Sequence, residues 1–488
     1  MTLPPVTLAE WWSGVSTRVE LTLIYYFFLL NASYIVFSLI AFVEIYRHLR
    51  RSIYGGYERI PASPLTPAIS ILVPAHNEHV GITLSVTNLL HLDYMRYEVI
   101  VVDDGSVDGT LDTLREAFHL EPCVETSQAR LPTAPVRSHY RSRRHPNLLV
   151  ISKENGGKAD ALNAGLNYAA HPYFCTVDAD VVLEPDALLR MIKPIVESPR
   201  RVVAVGGIVR VANGCRIENG RVVEPDFSRR MLVIFQVVEY FRSFLCGRTA
   251  FSRLDALMIV SGAFGVFDRE LGVEIGGYRT DTVGEDMDLV ARMHVAMRAR
   301  GQEDYAVIFV PDPVCWTEAP ETLRVLARQR RRWQRGLFEV LSSGSEMMLN
   351  PRYGRIGMIA YPFYWLFEGW GLLLEFFGYI VFVILLARGA ANSDYIIAFF
   401  IVALLCGTTL SLCGILVGEM TPKRYPKLRH WVLLVLFAVL ENLGYRLLLV
   451  YFRLLGLVDY LIGRKEWGRM ERRGLDRGGV ARRAQDPA

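Results

Sequence analysis

The feature of the sequence that most limits its fold is an uncharged stretch of 23 residues, Leu21 to Val43. About 20 apolar residues in a helix are enough to cross the hydrocarbon of a bilayer. Arg47, Arg50 and Arg51 follow the stretch, and an excess of basic residues marks the cytoplasmic side of a membrane helix. We therefore predict a membrane-spanning helix after which the chain enters the cytoplasm.

A second apolar region begins near Ile356 and predicts further membrane segments. Residues 395–418 form a clean candidate span, and residues 431–452 form one that carries two charged side chains. Residues 356–387 are too long for one simple span, so we expect an interfacial or re-entrant first part and a spanning second part. The basic tail, residues 464–483, is expected in the cytoplasm, although one N-terminal and three C-terminal crossings would leave it outside. The number of C-terminal crossings stays open.

Two acidic residues interrupt this second apolar region. Glu368 and Glu375 are seven positions apart, about two helical turns, and therefore share one helix face. Ionisable groups at membrane depth face a wet cavity or a partner. The pair is interpreted either as the lining for a polar chain that passes through, or as groups that pair with Arg446 or lie at the headgroup level.

Composition excludes several classes of protein. With 51% hydrophobic residues the chain is too apolar to be disordered, and its net charge of +4 gives no basis for binding nucleic acid. The seven cysteines form no CxxC pair. They are interpreted as reduced thiols, without a structural zinc site or a disulfide framework.

Between residues 68 and 340 the pattern changes to short apolar runs that alternate with amphipathic stretches. Four runs predict continuous buried strands: Ile69–Val73, Glu98–Val102, Leu148–Ile151 and Tyr173–Val177. Helical patterns follow, for example at residues 110–118 and 158–169. This alternation predicts an α/β domain with a largely parallel sheet, whose ligands bind beyond the carboxyl ends of the strands.

Each of these strand ends is acidic or rich in glycine. The four segments are PAHNE at 74–78, DDGSVDGT at 103–110, NGGKADALN at 155–163 and DAD at 178–180. Asp178 and Asp180 place two carboxylates where a hard divalent cation, Mg²⁺ or Mn²⁺, bridges them to a diphosphate. Turn capping also explains a single Asp-x-Asp, but four such ends in one sheet favour a binding site.

Two later segments complete a family resemblance. Gly284-Glu285-Asp286 and Gln329-Arg330-Arg331-Arg332-Trp333, together with the four strand ends, resemble the membrane-embedded processive family 2 glycosyltransferases. That group includes the poly-N-acetylglucosamine, chitooligosaccharide, hyaluronan and cellulose synthases. The resemblance covers about residues 69–336 and implies a nucleotide-sugar-binding α/β domain of the GT-A type inserted between transmembrane α-helices. Gly284 departs from the Thr often found before the Glu-Asp pair, which weakens any transfer of acceptor specificity.

For the donor, the resemblance implies that Glu78 and Asp104 contact the uridine of a UDP-sugar. Lys158 lies near the base or the diphosphate, and Arg332 pairs with the diphosphate through its planar guanidinium. Asp178 contributes to this nucleotide-sugar site and, with Asp180, holds Mg²⁺ or Mn²⁺.

For the acceptor, the resemblance implies that Asp286 is the general base that deprotonates the attacking hydroxyl, which inverts the anomeric centre. A helix cap is the other interpretation of the Glu285-Asp286 pair. Trp333 offers a stacking face for a terminal sugar. The remaining acceptor-side residues are Gln329, Glu285 and Gly262. Residues 328–335 also fit a basic patch at the membrane surface.

The expected domain order follows from these assignments. It consists of an N-terminal segment (1–20), a transmembrane helix (21–46), a linker (47–67), a cytoplasmic glycosyltransferase domain (68–320), interfacial helices (321–355), transmembrane or re-entrant helices (356–460) and a basic cytoplasmic tail (461–488). The chain is thus expected to be a multi-pass protein of the cell membrane.

The leading hypothesis is an inverting hexosyltransferase that elongates and extrudes a β-linked polysaccharide. Its expected partners are a UDP-sugar, a polysaccharide or oligosaccharide acceptor, the lipid bilayer and secretion proteins. The sugar is taken as N-acetylglucosamine because residues 206–213 resemble that stretch of the N-acetylglucosamine polymerases. A single transfer to a lipid acceptor is the alternative within the enzyme class. A non-catalytic secretion scaffold is a third possibility, but it would be expected to lack the acidic residues that this chain retains.

Overall fold

A computed structural model of the chain describes residues 8–54, 66–127, 130–218, 220–387, 394, 397, 401–421, 425 and 427–464. Within these ranges the twelve strands are β1 (Ile69–Ala75), β2 (Tyr97–Asp104), β3 (Leu120–Cys123), β4 (Val136–Ser142), β5 (Leu148–Lys153), β6 (Tyr173–Val177), β7 (Val181–Leu183), β8 (Arg201–Val211), β9 (Arg216–Glu218), β10 (Arg221–Glu224), β11 (Phe264–Asp268) and β12 (Tyr305–Thr317).

Ten of these strands form one sheet, in the order β3-β4-β5-β2-β1-β6-β11-β8-β12-β7, and β9 and β10 form a separate hairpin. Strands β5, β2, β1 and β6 are mutually parallel neighbours, and they are the four strands that the apolar runs predict. Strand β11 runs antiparallel between β6 and β8, whereas β12 is parallel to β8. The sheet is therefore mixed and mostly parallel, which confirms the predicted fold class.

The central strands have no polar face because both sides of the sheet are covered. Leu72 of β1 belongs to the core on one side, and its neighbours Ile71 and Val73 belong to the core on the other side. Side chains alternate across a strand, so a strand buried on both faces is a continuous run of apolar residues. This is the physical reason why the strands could be predicted from the sequence.

The first ten helices are α1 (Leu8–Tyr54), α2 (Ile82–Leu90), α3 (Thr110–Phe118), α4 (Lys158–Tyr168), α5 (Ala187–Glu197), α6 (Met231–Tyr240), α7 (Arg248–Arg253), α8 (Arg269–Glu274), α9 (Glu285–Ala299) and α10 (Leu323–Ser343). A seven-residue π-helix, Phe241–Gly247, joins α6 to α7. The bounds of α3 and α4 agree with the two helical patterns in the sequence.

The remaining described helices belong to the apolar C-terminal region. The longer ones are Gly371–Ala387, Gly407–Met420, Leu428–Leu440 and Tyr445–Leu461, with π-helical segments at Ile356–Ala360, Tyr364–Trp370 and Ile401–Cys406. Three-residue helices lie at Ser345–Met347, Pro351–Tyr353, Tyr361–Phe363 and Glu441–Leu443. We name Tyr445–Leu461 the C-terminal helix. Residues 395, 396 and 398–400, at the N-terminal end of the candidate span at 395–418, lie outside the described residues.

Helix α1 contains the predicted membrane segment. Within the described residues, Leu21–Arg50 is the one unbroken helix long and apolar enough to cross a membrane. Its C-terminal half also packs on the α/β domain, where Phe37, Ala41 and Ile45 are buried in the core. The predicted membrane segment and the α/β domain are therefore packed directly against each other.

The candidate span at residues 431–452 is not straight. Leu428–Leu443 and Tyr445–Leu461 meet at a bend of 56° and reach membrane-spanning length only when joined. The break follows Glu441, whose side chain is fully buried and pairs with Arg242 and with Arg446. A buried acidic group that pairs with two arginines through one oxygen, and that Gly444 follows, gives a physical reason for the break.

Candidate active site

Most of the predicted site residues line one cavity of about 1130 Å³. Its lining includes nine of them: Lys158, Asp178, Asp180, Gly262, Glu285, Asp286, Gln329, Arg332 and Trp333. These residues come from the ends of β6 and α4, the turn before β11, and helices α9 and α10. Segments far apart in the sequence therefore form one site. Glu78 and Asp104 are not among its lining residues.

The Asp-x-Asp segment lies between β6 and β7. Strand β11 pairs with β6, with Phe264 opposite Val177, so the turn before β11 lies beside Asp178. The backbone N–H of Asp178 accordingly donates to the carbonyl of Ala263, at 3.4 Å. The sheet register thus brings the predicted metal ligands next to the predicted acceptor-side turn.

Lys158 connects an acid predicted for the donor side with one predicted for the acceptor side. Its Nζ lies 2.5 Å from Oδ1 of Asp178 and 3.9 Å from Oε1 of Glu285. Burial lowers the pKa of Lys158, but the carboxylates of Asp178 and Glu285 outweigh burial and raise it above its ordinary value. The side chain therefore stays a cation at neutral pH, which suits contact with phosphate.

Glu285 and Asp286 are the first two residues of helix α9. The residue before the helix is Gly284 and no side-chain hydrogen bond caps it, so the interpretation of the pair as a helix cap is wrong. Oδ2 of Asp286 accepts a hydrogen bond from the backbone N–H of Gly262, at 2.9 Å. A side chain at Gly262 would contact Asp286 Oδ2 at 3.3 Å and Lys158 Nζ at 3.4 Å. The absence of a side chain at Gly262 thus leaves room for both groups.

Glu285 occupies a more enclosed position than Asp286. It is 7% exposed. Burial raises the pKa of Glu285 and so does Asp286, whereas Lys158 opposes the rise. Two adjacent carboxyl groups thus have different environments, and the one more open to the cavity is Asp286.

Asp104 has a role that the sequence did not predict. Its carboxylate lies 2.6 Å from Nζ of Lys153 and accepts the backbone N–H groups of Gly156 (3.0 Å) and Gly157 (2.8 Å). Gly157 has a φ of +90°, a conformation that glycine adopts without strain, and Lys158 follows directly. Asp104 is 2% exposed, so the structure shows it fixing the turn that carries Lys158. Its predicted contact with uridine remains a proposal.

Glu78 lies at the end of β1, beside the start of α3. Its backbone N–H donates to Oγ1 of Thr110, at 2.9 Å. The same loop is joined to the 105–109 loop through Asn77, whose side-chain oxygen accepts the N–H of Val107 at 2.9 Å. The two strand ends predicted to bind uridine are thus held together, and the uridine contact of Glu78 stays a prediction.

Helix α10 carries the Gln-x-x-Arg-Trp segment along the cavity. Arg332 lies close enough to Lys158 and Glu285 that its positive charge opposes the rise in the pKa of both. The ring of Trp333 is 39% exposed. Both side chains, with Gln329, therefore lie where the donor-side and acceptor-side groups meet.

The basic residues around this segment are not a simple surface patch. Arg330 pairs with Glu239 at 2.8 Å, Arg331 with Asp459 at 2.7 Å and Arg335 with Glu339 at 2.7 Å. These three arginines therefore hold α10 to α6, to the C-terminal helix and to its own next turn. No sequence pattern indicates these pairs, since their acids lie outside any motif or within ordinary helical patterns.

The cavity continues from the acids of the α/β domain toward the apolar helices. Glu368 and Glu375 both line it, as do Arg446 and Arg453. Glu368 pairs with Arg453 at 3.0 Å and accepts a hydrogen bond from Tyr34 of α1. Glu368 thus lines the cavity, and its predicted pairing with Arg446 is wrong, because its basic partner is Arg453 and Arg446 pairs with Glu441 at 3.1 Å. Passage of a polar chain stays a prediction.

Comparison with protein families identifies the domain. A model described as glycosyl transferase family 2 matches residues 70–271, and one described as glycosyl transferase family group 2 matches residues 173–416, half of the chain. The chain belongs to the family 2 glycosyltransferases. These two ranges together include every residue of the cavity that comes from the α/β domain and from α10.

Two curated relatives illustrate the similarity. The poly-β-1,6-N-acetyl-D-glucosamine synthase of Staphylococcus epidermidis is 28% identical over 273 residues, which are 56% of this chain and 55% of that protein. The synthase of the same name from Staphylococcus aureus strain COL is 28% identical over 274 residues, with the same coverage. This glycosyltransferase thus spans about half the length of the curated relatives it matches.

Solved structures are more distant. A mannosyltransferase from Pyrobaculum calidifontis in complex with GDP-Man and Mn²⁺ is 20% identical, with a TM-score of 0.49, and covers 91% of this chain and 100% of its own. Residues 1–349 of S. aureus TarS in complex with UDP-GlcNAc are 13% identical, with a TM-score of 0.36, and cover 78% of this chain and 92% of their own.

Proposed function

We propose that this family 2 glycosyltransferase transfers N-acetylglucosamine from UDP-N-acetylglucosamine to the end of a β-linked polysaccharide and passes the product across the membrane. The observation that carries the proposal is the single cavity that joins Asp178, Asp180 and Asp286 to Glu368 and Glu375 between the apolar helices. A one-step transferase needs only the first part of this cavity. Glu368, Glu375, Arg446 and Arg453 line the second part and offer polar groups to a sugar chain.

The donor is assigned to the side of the cavity that Lys158 and Arg332 line. A diphosphate carries negative charge, and two fixed cations stabilise it as it leaves the anomeric carbon. Asp178 and Asp180 are hard oxygen donors that fit Mg²⁺ or Mn²⁺. No cluster of three or more His, Cys, Asp or Glu suited to a metal occurs within the described part of the chain. The two carboxylates would therefore hold the metal jointly with the diphosphate, where it would act as a Lewis acid on the leaving group.

The acceptor is assigned to the side that Asp286 and Trp333 line. Asp286 accepts the proton of the attacking hydroxyl as the new glycosidic bond forms and the bond to UDP breaks. The N–H of Gly262 holds one oxygen of Asp286 in place, so the carboxylate is already oriented before the acceptor arrives. A single displacement of this kind inverts the anomeric centre and gives a β-linkage from an α-linked donor.

Membrane insertion belongs to the same proposal. We place the α/β domain in the cytoplasm, with α1 and the C-terminal helices in a multi-pass arrangement in the cell membrane. The basic residues after the apolar part of α1 support this orientation. The secretion proteins predicted from the sequence would receive the product on the far side.

Incubation of the purified protein with radiolabelled UDP-sugars and Mg²⁺ or Mn²⁺, followed by sizing of the product, tests the proposal. We expect a polymer of N-acetylglucosamine from UDP-N-acetylglucosamine and no incorporation from other UDP-hexoses. A product that carries one added sugar on a lipid would favour single transfer instead. Absence of product and of donor hydrolysis with every UDP-sugar would refute the proposal.

A further inference from the structure

The indole ring of Trp333 has a cation against it. Arg330 lies three residues earlier in α10, and its guanidinium carbon is 4.2 Å from the centroid of the Trp333 ring. Residues three apart are neighbours on a helix surface. A guanidinium over an indole is attracted by the ring quadrupole, and more strongly when water is excluded. Arg330 is only 3% exposed, so this contact is sheltered from bulk water.

The cation itself is fixed by a buried carboxylate. Nη2 of Arg330 donates to Oε2 of Glu239 at 2.8 Å, and the hydroxyl of Tyr445 donates to the same oxygen at 2.9 Å. Glu239 comes from α6 and Tyr445 from the C-terminal helix. The side chains of Arg330 and Glu239 are 3% and 14% exposed. Loss of either charge would leave the other buried without compensation, so the guanidinium has little freedom to leave the ring.

A second aromatic ring restricts the movement of the Trp333 side chain from another direction. The centroid of the Phe244 ring is 6.3 Å from that of Trp333, at an interplanar angle of 52°. The guanidinium of Arg248 lies 4.1 Å over the Phe244 ring. The cavity is lined by all four of these side chains, Trp333, Phe244, Arg248 and Arg330. Trp333 is thus held by neighbours and still 39% exposed, which leaves part of its ring open toward the cavity.

We propose that Arg330 and Glu239 are positioning residues for acceptor binding, because together they hold the Trp333 indole in the orientation that receives the apolar face of a sugar ring. The inference rests on the proposed function, in which Trp333 binds the acceptor. Immobilising a side chain on binding costs free energy, and a ring that is already fixed avoids most of that cost. Neither residue contacts the donor-side acids in this role, so the effect is confined to the acceptor.

A neighbouring ion pair provides a matched control. Arg331 donates two hydrogen bonds to Asp459 of the C-terminal helix, both at 2.7 Å. This pair also docks α10, but it makes no ring contact with Trp333 among the contacts of the described residues. A role that consists only of docking the helix would be shared by both pairs. A role in orienting Trp333 belongs to the Arg330–Glu239 pair.

The test compares Arg330→Gln, Glu239→Gln and Arg331→Gln in the full-length protein, with an N-acetylglucosamine oligosaccharide as acceptor. For the first two we expect the acceptor KM to rise about tenfold, with kcat within about twofold and UDP affinity by calorimetry unchanged. Arg331→Gln should keep the wild-type KM. Arg330→Lys retains a cation beside the ring and should recover part of the loss. A wild-type acceptor KM in Arg330→Gln, or an equal rise in Arg331→Gln, would overturn the inference.

A second measurement does not depend on turnover. Acrylamide quenching of Trp333 fluorescence is obtained as the difference between each protein and the same protein carrying Trp333→Phe. Arg330→Gln should make Trp333 more accessible to the quencher, and Arg331→Gln should not. If the wild type transfers no sugar, the proposed function fails, and quenching still decides whether Arg330 fixes the ring. Unchanged quenching in a folded Arg330→Gln protein would refute the positioning role.

Discussion

Gly284 and Gly336 are in direct backbone contact. A Cβ on Gly284 would lie 2.9 Å from the carbonyl oxygen of Gly336, and a Cβ on Gly336 would lie 2.9 Å from the backbone nitrogen and Cα of Gly284. Glu339, one turn further along α10, accepts the N–H of Val283 at 2.8 Å. The start of α9 therefore packs directly on α10. Helix α9 carries Asp286 and α10 carries Trp333. This contact sets the distance between Asp286, the proposed base, and Trp333, the proposed stacking face for the acceptor.

This contact explains why glycine precedes the Glu-Asp pair. A Thr at position 284 would place its side chain within the backbone of α10, since Gly336 offers no space. The departure from the family pattern at Gly284 is thus matched by a second glycine on the facing helix.

We expect Gly336→Ala to lower kcat by about 10- to 100-fold, because a shift of about 1 Å in the relative position of reacting groups has effects of that size. UDP affinity should remain near wild type, since the three atoms nearest the added methyl group belong to Gly284 and Val283 and to no donor-side residue. Gly81→Ala is the matched control: its Cβ would meet nothing within 4 Å and its φ is −108°. Equal activity of Gly336→Ala and Gly81→Ala would contradict the importance of the contact.

Asp286→Asn should reduce turnover by about 100-fold or more, because the amide keeps the shape of the side chain and cannot accept the proton. The Asn oxygen can still accept the N–H of Gly262, so the loop should keep its position. UDP affinity, measured by calorimetry beside polymer output, should survive. Loss of UDP binding would move Asp286 to the donor site, and near-normal polymer output would exclude it as the base.

Much of the α/β domain could be predicted because its signals are local. A strand covered on both faces has to be a run such as Ile69–Val73, and polar residues at its carboxyl end have to meet those of its parallel neighbours. The position of Asp178 and Asp180 follows from that rule alone. The grouping of Asp286, Arg332 and Trp333 with them was implied by the family resemblance.

Contacts between distant helices could not be predicted in this way. Nothing near Gly336 in the sequence indicates that it meets Gly284, and Glu239 appears in an ordinary amphipathic pattern although it holds Arg330. Asp104 looked like a ligand-binding acid because it ends a strand. Its partner Lys153 is the last residue of β5, and only the register of β2 with β5, which pairs these two residues, reveals the ion pair. Such relationships depend on packing, which a single sequence does not encode locally.

Removal of divalent metal should abolish transfer. Excess EDTA is expected to stop polymer formation, and added Mn²⁺ or Mg²⁺ should restore it, because the carboxylates of Asp178 and Asp180 repel a diphosphate unless a divalent cation lies between them. Asp180→Asn should raise the metal concentration for half-maximal activity by about tenfold, since a neutral amide is a weaker ligand for a hard cation. Full activity in EDTA would refute the metal role of both residues.

The orientation of α1 can be tested by labelling. A cysteine in place of Ser52, just beyond Arg50 and Arg51, should resist an impermeant thiol reagent on intact cells and react after permeabilisation. The seven native cysteines set the background, so the parent protein is labelled in parallel. Labelling on intact cells above that background would place the α/β domain outside the cytoplasm.

The pH dependence of stability should reflect Glu285, whose pKa is raised above the ordinary value of 4.5 chiefly by burial. The folded protein therefore holds this proton more tightly than the unfolded chain does. The stabilisation is fully present below pH 4.5 and is lost as pH rises toward neutrality through the folded-state pKa. The Gln side chain of Glu285→Gln cannot ionise. In EDTA, the Tm of this variant should therefore rise relative to the Tm of the wild type as the pH increases from 4.5 toward neutrality. The Glu303 side chain is 75% exposed, so the Tm of Glu303→Gln should change with pH in parallel with the Tm of the wild type. A constant Tm difference between Glu285→Gln and the wild type from pH 4.5 to 7.5 would show that burial does not govern this carboxyl.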